Sequence, residues 1–216
     1  FANVISGTGA VTNAGAGTTT FTGANTYSGG TTISAGTLQI GNGGATGSLG
    51  SGAVTNNGTL AVNRSDNLTV SNAISGSGGL NKQGTNTLIL TGNNTYSGPT
   101  VISGGTLQIG NGGTIGTLGT GATTNNGTLT FNRSDTLTVS SAISGSGTIV
   151  QAGTGTTIVT SPYSGSATVN AGKLQIGNGG SGGSVTGNIV NNAVLEFDLS
   201  SSSTYSGVIS GTGSVT

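Results

Sequence analysis

The amino-acid sequence predicts an all-β protein, a parallel β-solenoid with about three short strands per coil and about nine to ten stacked coils. Three observations predict this fold. A step of glycine, any residue and an aliphatic residue returns at intervals of 20 to 27 residues. Apolar and polar residues alternate after each step, and clusters of Gly, Asn and Ser separate the repeats. A fixed period of about 20–50 residues is typical of solenoids, propellers and arrays.

The repeated step is clearest in Gly36-Thr37-Leu38-Gln39-Ile40, where two aliphatic residues flank a glutamine. A period of two is the pattern of a strand with one buried face. We predict that the aliphatic members of all the steps form one continuous ladder, in which each stacks on the equivalent residue of the coil before. These members are Val11, Leu38, Leu60, Leu80, Leu107, Leu129, Ile149, Leu174, Leu195 and Val215.

The steps also repeat in groups of three. The segment YSGGTTISAGTLQIGNGG from Tyr27 returns nearly unchanged from Tyr96, and in a diverged form from Tyr163. We therefore predict a single solenoid segment over residues 1–216, built from three blocks of three coils. The blocks cover about 9–77, 78–146 and 147–212. One coil cannot bury its own apolar face, so its neighbours must cover it. At about 4.8 Å between strands, nine coil steps make a rod about 43 Å long.

The predicted core consists of aliphatic and aromatic residues at alternate strand positions. Full burial of such a side chain contributes about 1.5–3 kcal/mol. The expected core residues are Leu38, Ile40, Leu60, Val62, Leu68, Val70 and Ile74 with their copies, and Phe21, Ile33, Leu88, Leu90, Ile102, Val159 and Val169 in the longest coils. Strict alternation would also place Lys82 inside, and Asn13 and Gln151 in the other blocks. Because a buried unpaired lysine is costly, we expect the strand to end or bulge just after the ladder residue.

Composition excludes several classes of function. The chain has four basic and four acidic residues, no His and no Cys. The lack of a basic patch argues against nucleic-acid binding, and no polybasic or long apolar stretch suggests a membrane. Without His or Cys there is no Ser-His triad, no thiolate and no zinc site of the usual kind. We predict a protein that is not an enzyme, with no catalytic residue, no cofactor and no metal.

The carboxylates do not form a catalytic pair in the predicted fold. Asp66 and Asp135 are one block apart, about 14 Å by strand spacing, whereas glycosidase pairs lie about 5–9.5 Å apart. Glu196 and Asp198 sit two positions apart on one strand. Because the apolar residues between and before them claim the inside, we expect both carboxylates to project into solvent.

Three repeated polar motifs admit a functional and a structural interpretation. Asn-Arg-Ser-Asp at 63–66 and 132–135 is either a ligand clamp or a turn stabilised by its polar side chains, and we favour the turn. Residues 177–182 match the glycine spacing of a dinucleotide fingerprint, but no helix follows to supply its N-terminus. Thr-x-Thr at 128–130 is similar to the arrays of ice-binding solenoids, but the neighbouring coils break the pattern.

Residues 76–110, GSGGLNKQGTNTLILTGNNTYSGPTVISGGTLQIG, resemble the autotransporter-associated β-strand repeat, also called the passenger-associated transport repeat. The four elements of that family's pattern occur here in order: a Gly-Leu-x-Lys opening, a Thr-Leu-x-Leu-x-Gly strand, a Tyr-Ser-Gly-x-Thr turn and a Gly-x-Leu-x-Ile-Gly strand. Thr19 in the first copy and Ser161-Pro162 in the third depart from it. The resemblance implies a right-handed parallel β-helix in the secreted passenger of a bacterial surface protein, closer to stalk and transport-assisting segments than to catalytic ones.

The predicted function is therefore that of a structural rod or stalk segment, extracellular or at the bacterial cell surface. The alternative is an adhesin-type binding module that contacts a host surface or matrix. VISGTGAVT at 4–12 and VISGTGSVT at 208–216 stand at the same phase of the repeat. We expect flanking coils or further copies of the same solenoid as end-to-end partners, as in a longer array or fibre. We expect no nucleic acid, no small-molecule substrate, and an outer-membrane contact only through a part of the protein outside this window.

Overall fold

The computed structural model describes all 216 residues, and it confirms the all-β parallel solenoid of about ten coils. Its strands are short, and no residue is helical. The first eight strands are β1 (Val11–Asn13), β2 (Thr18–Phe21), β3 (Thr31–Ile33), β4 (Thr37–Ile40), β5 (Val54–Asn56), β6 (Thr59–Val62), β7 (Leu68–Val70) and β8 (Ile74–Ser75). The next eight are β9 (Gly79–Lys82), β10 (Thr87–Leu90), β11 (Thr100–Ile102), β12 (Thr106–Ile109), β13 (Thr123–Asn125), β14 (Thr128–Phe131), β15 (Thr136–Val139) and β16 (Ile143–Ser144). The last ten are β17 (Thr148–Gln151), β18 (Thr156–Val159), β19 (Pro162–Tyr163), β20 (Ser166–Val169), β21 (Lys173–Gly180), β22 (Ser184–Val185), β23 (Ile189–Asn191), β24 (Val194–Leu199), β25 (Ile209–Ser210) and β26 (Ser214–Val215).

Each coil passes through three strand positions and then returns beside its own start. β10 pairs with β7, and β9 pairs with β6, in both cases parallel and in register. Repetition builds a seven-stranded sheet from β2 to β16, an eight-stranded sheet from β7 to β25 and a five-stranded sheet from β15 to β26. Paired residues lie 17 to 23 positions apart in the chain. A coil therefore needs about twenty residues to close.

The predicted ladder is correct within a block and wrong between blocks. Leu38, Leu60 and Leu80 stack on consecutive strands of the seven-stranded sheet, as predicted. Leu107 does not continue this stack, because Leu80 pairs with Thr100 instead. Leu107 lies in the eight-stranded sheet, on a different face of the coil. The continuous ladder through all the steps is therefore not what the chain forms.

The difference between two lengths explains this correction. Closing a coil from Leu80 takes 20 residues, which reaches Thr100, whereas the next glycine-x-aliphatic step comes after 27. The extra residues carry the chain one strand position further around the coil. Equivalent strands of successive blocks consequently lie in different sheets: β4 in the seven-stranded, β12 in the eight-stranded and β21 in the five-stranded sheet. The repeated surface features of the blocks therefore wind around the rod.

The core matches the predicted alternation closely. The named core residues are buried and belong to one cluster of 32 side chains. Leu68 is the exception, because it is only partly buried and packs against that cluster. The core also contains Tyr27, Tyr96 and Tyr163, each at most 1% exposed. Their Tyr-Ser-Gly motif reads as a turn, but its ring points into the coil.

Alternation also continues where we expected it to fail. β9 runs through Lys82, β17 through Gln151 and β1 through Asn13. All three side chains point inwards, with exposures of 0%, 1% and 7%. The predicted early end or bulge of the strand is wrong. Hydrogen bonds to backbone carbonyls take the place of the missing counter-charge, as the next subsection describes.

Candidate functional site

The charged side chains of the chain are dispersed over several coils. No group of three or more acidic side chains converges in a way that could hold a metal ion. The structure contains no helix that is able to cross a membrane. The polar groups that carry chemistry lie instead at the corners between strands and on the outer side of the coils. Most of them are bonded to the coil before or after.

Arg64 binds the loop of the preceding coil. Its Nη2 donates to the carbonyl oxygen of Ala45 at 2.8 Å, and its Nη1 donates to that of Gly47. Its Nε donates to Asp66 Oδ1 at 2.9 Å. Arg64 is only 8% exposed. The guanidinium fork thus faces its own chain and fixes the Gly-Asn-Gly-Gly loop, which supports the structural interpretation of this motif over a ligand clamp.

The second copy of the motif repeats the arrangement. Arg133 donates to the carbonyl oxygens of Gly116 at 2.5 Å and Thr114 at 2.7 Å. Its Nε and Nη2 donate to the two oxygens of Asp135 at 2.8 and 2.7 Å. The hydrogen bonds from Arg133 hold the pKa of the Asp135 carboxyl below its usual value. The sequence predicted a turn held by Asn, Ser and Asp, whereas the arginine makes the connection between coils.

Glu196 and Asp198 lie on the outer side of β24, as predicted, but they are not free. Lys173 Nζ lies 2.6 Å from Glu196 Oε2, and both side chains are about one-third exposed. Gln175 Nε2 donates to Asp198 Oδ2 at 3.1 Å. Both contacts cross from β21 to β24, so each carboxylate joins two neighbouring coils.

Lys82 is a buried cation without a carboxylate partner. Its Nζ donates to the carbonyl oxygens of Gly84 at 3.0 Å and Gly104 at 3.2 Å, and also to that of Gln83. Burial lowers the pKa of the Lys82 ammonium to about 8. Three convergent carbonyl dipoles replace the water that the ammonium loses, which is the condition for burying a charge at tolerable cost.

Two further motifs of the sequence have a purely structural setting. Residues 177–182 begin within β21 and are followed by a short strand, so no helix N-terminus faces them. On the eight-stranded sheet, Thr128-x-Thr130 lies between strands that carry Gln108 and Val150 next to Thr130. The register that we predicted for these coils is confirmed. The second column of hydroxyl groups is therefore interrupted in both directions.

The sequence analysis missed one surface feature, a groove of about 260 Å³ in the middle block. It opens between residues 117–120 and strand β15, with Leu118, Leu137 and Val139 among its apolar lining. Serine and threonine side chains make most of the rest. The signal that could have revealed it is Ser141, where the otherwise similar first block has Asn72.

Comparison with known families matches the passenger-associated-transport-repeat at residues 11–40, 80–109 and 149–176. A 54-residue part of the chain is 56% identical to the Adhesin BmaC autotransporter of Brucella suis biovar 1 (strain 1330). That alignment covers 25% of this chain and 2% of the relative's length. No solved structure matches the chain. Each of the three matches begins at a ladder residue and ends in a Leu-Gln-Ile strand, at equivalent places in the three blocks. The family resemblance is thus confirmed: the chain carries three passenger-associated transport repeats, one in each block.

Proposed function

We propose that this chain is a structural rod segment in the passenger of a secreted bacterial surface protein, with no enzymatic role. Three passenger-associated transport repeats on one uninterrupted solenoid are the observation that carries the proposal. Passenger repeats imply a secreted or surface location. A solenoid in which each coil contacts only its neighbours is extended by adding coils. Such a design suits a spacer, since its length can change without a change of fold.

The contacts between coils support mechanical rigidity. The Arg64 and Arg133 side chains each bind the loop of the coil before, and Lys173 pairs with Glu196 on the next strand. These charged groups are occupied by the chain itself. A charge-assisted hydrogen bond is roughly twice as strong as a neutral one. The few charges of the chain therefore support the stack of coils, and this is the role that we propose for them.

We further propose end-to-end contact with coils of the same kind, in a longer array or a fibre. The terminal coils expose apolar side chains, with Val4 at 57%, Val208 at 62% and Val215 at 51% exposure. Strand β26 pairs with β24 on one side only. An unpaired strand edge is a template for another strand. A coil of the same repeat would cover these side chains and pair with this edge.

An adhesin-type binding module is the second candidate. The observation in its favour is the relative that is named an adhesin autotransporter, with 56% identity over 54 residues. The chain spans only 2% of that relative's length. An adhesive role would therefore require a binding surface on the coils of this chain itself, and the groove in the middle block is the one concave feature of useful size.

The rod proposal is tested by surface display of one, two and three tandem copies between a signal peptide and a translocator barrel in a laboratory bacterium. Protease treatment of intact cells should remove the chain, and electron microscopy should show the distance from tag to membrane grow by about 45–50 Å per copy, from about ten coils at about 4.8 Å. Retention inside the cell, or a distance that does not grow with copy number, would contradict the proposal. Adherence of the displaying cells to matrix-coated surfaces, in proportion to copy number, would favour the adhesin instead.

A further inference from the structure

The groove of about 260 Å³ occurs in the middle block only, although all three blocks have the elements that form it. In each block it lies between the segment after the Gly-Asn-Gly-Gly loop and the strand after the Asn-Arg-Ser-Asp motif or its counterpart. What differs is the side chain that reaches across. The comparison of the blocks therefore shows what the open groove lacks.

In the first block, Asn72 closes the equivalent place. Its Nδ2 donates to the carbonyl oxygens of Gly50 at 2.8 Å and Gly52 at 2.5 Å. Asn72 is 9% exposed, and Leu49 beneath it is 8% exposed. One asparagine thus satisfies two backbone acceptors and covers the apolar floor.

In the third block, Tyr205 does the same work with a ring. Its Oη donates to the carbonyl oxygen of Gly187 at 2.6 Å, and its ring centre lies 6.0 Å from that of Phe197. The space that remains between Val185 and Tyr205 is about 40 Å³. Gly187 corresponds to Gly52 of the first block. Two unrelated side chains therefore donate to the same backbone acceptor.

The middle block has neither side chain. Ser141 stands in the place of Asn72, and Val139 in the place of Tyr205. No protein group donates a hydrogen bond to the carbonyl oxygen of Gly119 or Gly121, the counterparts of Gly50 and Gly52. Leu118 is partly exposed, whereas its counterpart in the first block is buried. The groove thus combines two free acceptors with an uncovered apolar floor.

We propose that this groove is a binding site for one neutral sugar ring, either a free pyranoside or a single residue of a glycan. The two carbonyl oxygens would accept hydrogen bonds from sugar hydroxyl groups, and Thr120 and Ser140 supply further hydroxyls at the rim. The aliphatic floor fits the C–H face of a pyranose. No charged residue lines the groove, which disfavours an acidic or basic ligand because a buried charge needs a partner.

The size of the groove limits the ligand to about one ring. An apolar cavity of about 150 Å³ in another protein takes up benzene, and sites for drug-sized ligands measure about 300–1,000 Å³. The groove, at about 260 Å³, lies between the two. A ligand with so few atoms binds weakly. Tight attachment would need several copies of the chain side by side, as avidity provides. The proposal is independent of the rod function, because a spacer needs no such site.

The first experiment is an NMR titration of the isotope-labelled chain with neutral methyl pyranosides, among them the glucoside, mannoside, galactoside and fucoside, at up to about 20 mM, above a weak dissociation constant of about 1 mM. At least one sugar should shift the amide signals of residues 117–121 and 137–141 in a saturable way. Sialic acid at the same concentration should shift them less, because it is charged. Shifts with the amide probe N-acetylprolinamide but with no sugar would overturn the proposal in favour of a peptide ligand. No saturable shift with any sugar would overturn it outright.

A pair of reciprocal variants provides the control. Ser141→Asn copies the first block, and it should close the groove, weaken sugar binding at least tenfold and leave the melting temperature equal or higher. Asn72→Ser copies the middle block, and it should open a second groove whose amides at 48–52 respond to the same sugar. If Ser141→Asn binds the sugar as well as the unaltered chain, the site is elsewhere and the proposal fails. The melting curves of both variants show that each still folds.

Discussion

The ammonium group of Lys82 lies 3.0 Å from the carbonyl oxygen of Gly84 and 3.2 Å from that of Gly104, inside a coil and without a carboxylate. The lysine thus joins its own corner to the corner of the next coil. Its counterparts divide this task. Gln151 donates within its own corner, to Gly153 and Gly155, at 2.8 and 3.1 Å.

Asn13, the counterpart in the first block, bonds across to the next coil, where its Nδ2 donates to the carbonyl oxygen of Ala35 at 2.9 Å. The polar residue at this position therefore serves backbone acceptors, and a positive charge is not required. We predict that Lys82→Gln costs less than about 1 kcal/mol, whereas Lys82→Leu costs about 1–3 kcal/mol, since it leaves buried carbonyls without donors. Urea unfolding at pH 7 measures both values. Equal losses in the two variants would show that charge, and not hydrogen bonding, is what the site needs.

A second prediction concerns pH. The pKa of Lys82 is about 8 in the folded chain and 10.5 in its reference state. Below pH 8 both states hold the proton, so stability is independent of this group. Between pH 8 and 10.5 the unfolded chain binds more protons, so the free energy of unfolding rises with pH, by at most about 1.4 kcal/mol per pH unit.

The comparison is made between the unaltered chain and Lys82→Gln at pH 7 and pH 9.5. The unaltered chain should gain stability over this interval relative to the variant. Burial raises the pKa of Tyr96 and Tyr163, so their ionisation favours the unfolded state only above pH 10, outside the interval. Parallel stability curves for the two proteins would contradict the account of Lys82 as a desolvated cation.

The arginine contact between coils predicts a local and a global effect. Arg64→Ala removes the donors to Ala45 and Gly47, and it should cost about 1–3 kcal/mol. Arg64→Lys should recover only part of this, because an ammonium lacks the planar fork. Asp66→Ala should cost less than about 1 kcal/mol, since Asp66 is half-exposed. Amide exchange in residues 42–47 should accelerate in Arg64→Ala, and unchanged exchange there would remove the arginine from its proposed role.

The inside and outside of one strand give a matched pair of variants. Leu107 is fully buried, and Gln108 next to it is partly exposed. Leu107→Asp buries a charge without a partner and should lower the free energy of unfolding by more than about 3 kcal/mol. Gln108→Asp loses one hydrogen bond, to the carbonyl oxygen of Gly110, and should cost about 1 kcal/mol. Thermal melts that shift equally in both variants would reject the assignment of faces.

Much of the fold follows from local pattern. The alternation in Leu38-Gln39-Ile40 places the first and third side chains inside, and the structure agrees. The wider arrangement does not follow in this way. Sequence similarity aligns Leu80 with Leu107, but backbone hydrogen bonds close the coil at Thr100. The repeat of the sequence and the repeat of the coil have different lengths, and only the second decides which residues touch.

The polar features were harder to predict for a related reason. The cost of a buried Lys82 depends on carbonyl oxygens of other segments, which the sequence does not show. The groove depends on the absence of a side chain at Ser141, whose counterpart Asn72 has two backbone partners. The substitution is visible when the blocks are aligned. Its consequence becomes visible only when those partners are known.

The most direct test of the structure is the choice of neighbour for the strand that carries Leu80. Asn81 faces outwards and pairs with Val101, whereas a continuous ladder of repeats would place it beside Gln108. The chain has no cysteine, so pairs of cysteines can be introduced without background. Paired strand residues lie within the Cα separation of about 4.4–6.8 Å that a disulfide requires.

Oxidation of Asn81→Cys/Val101→Cys should give a rapid intramolecular disulfide, seen as a mobility shift in a denaturing gel. Ile89→Cys/Gln108→Cys should do the same, because these residues are paired. Asn81→Cys/Gln108→Cys should remain reduced. If this last pair forms the disulfide and Asn81→Cys/Val101→Cys does not, the blocks stack in register with their sequence repeat, and the account of a solenoid whose repeats wind around the rod is wrong.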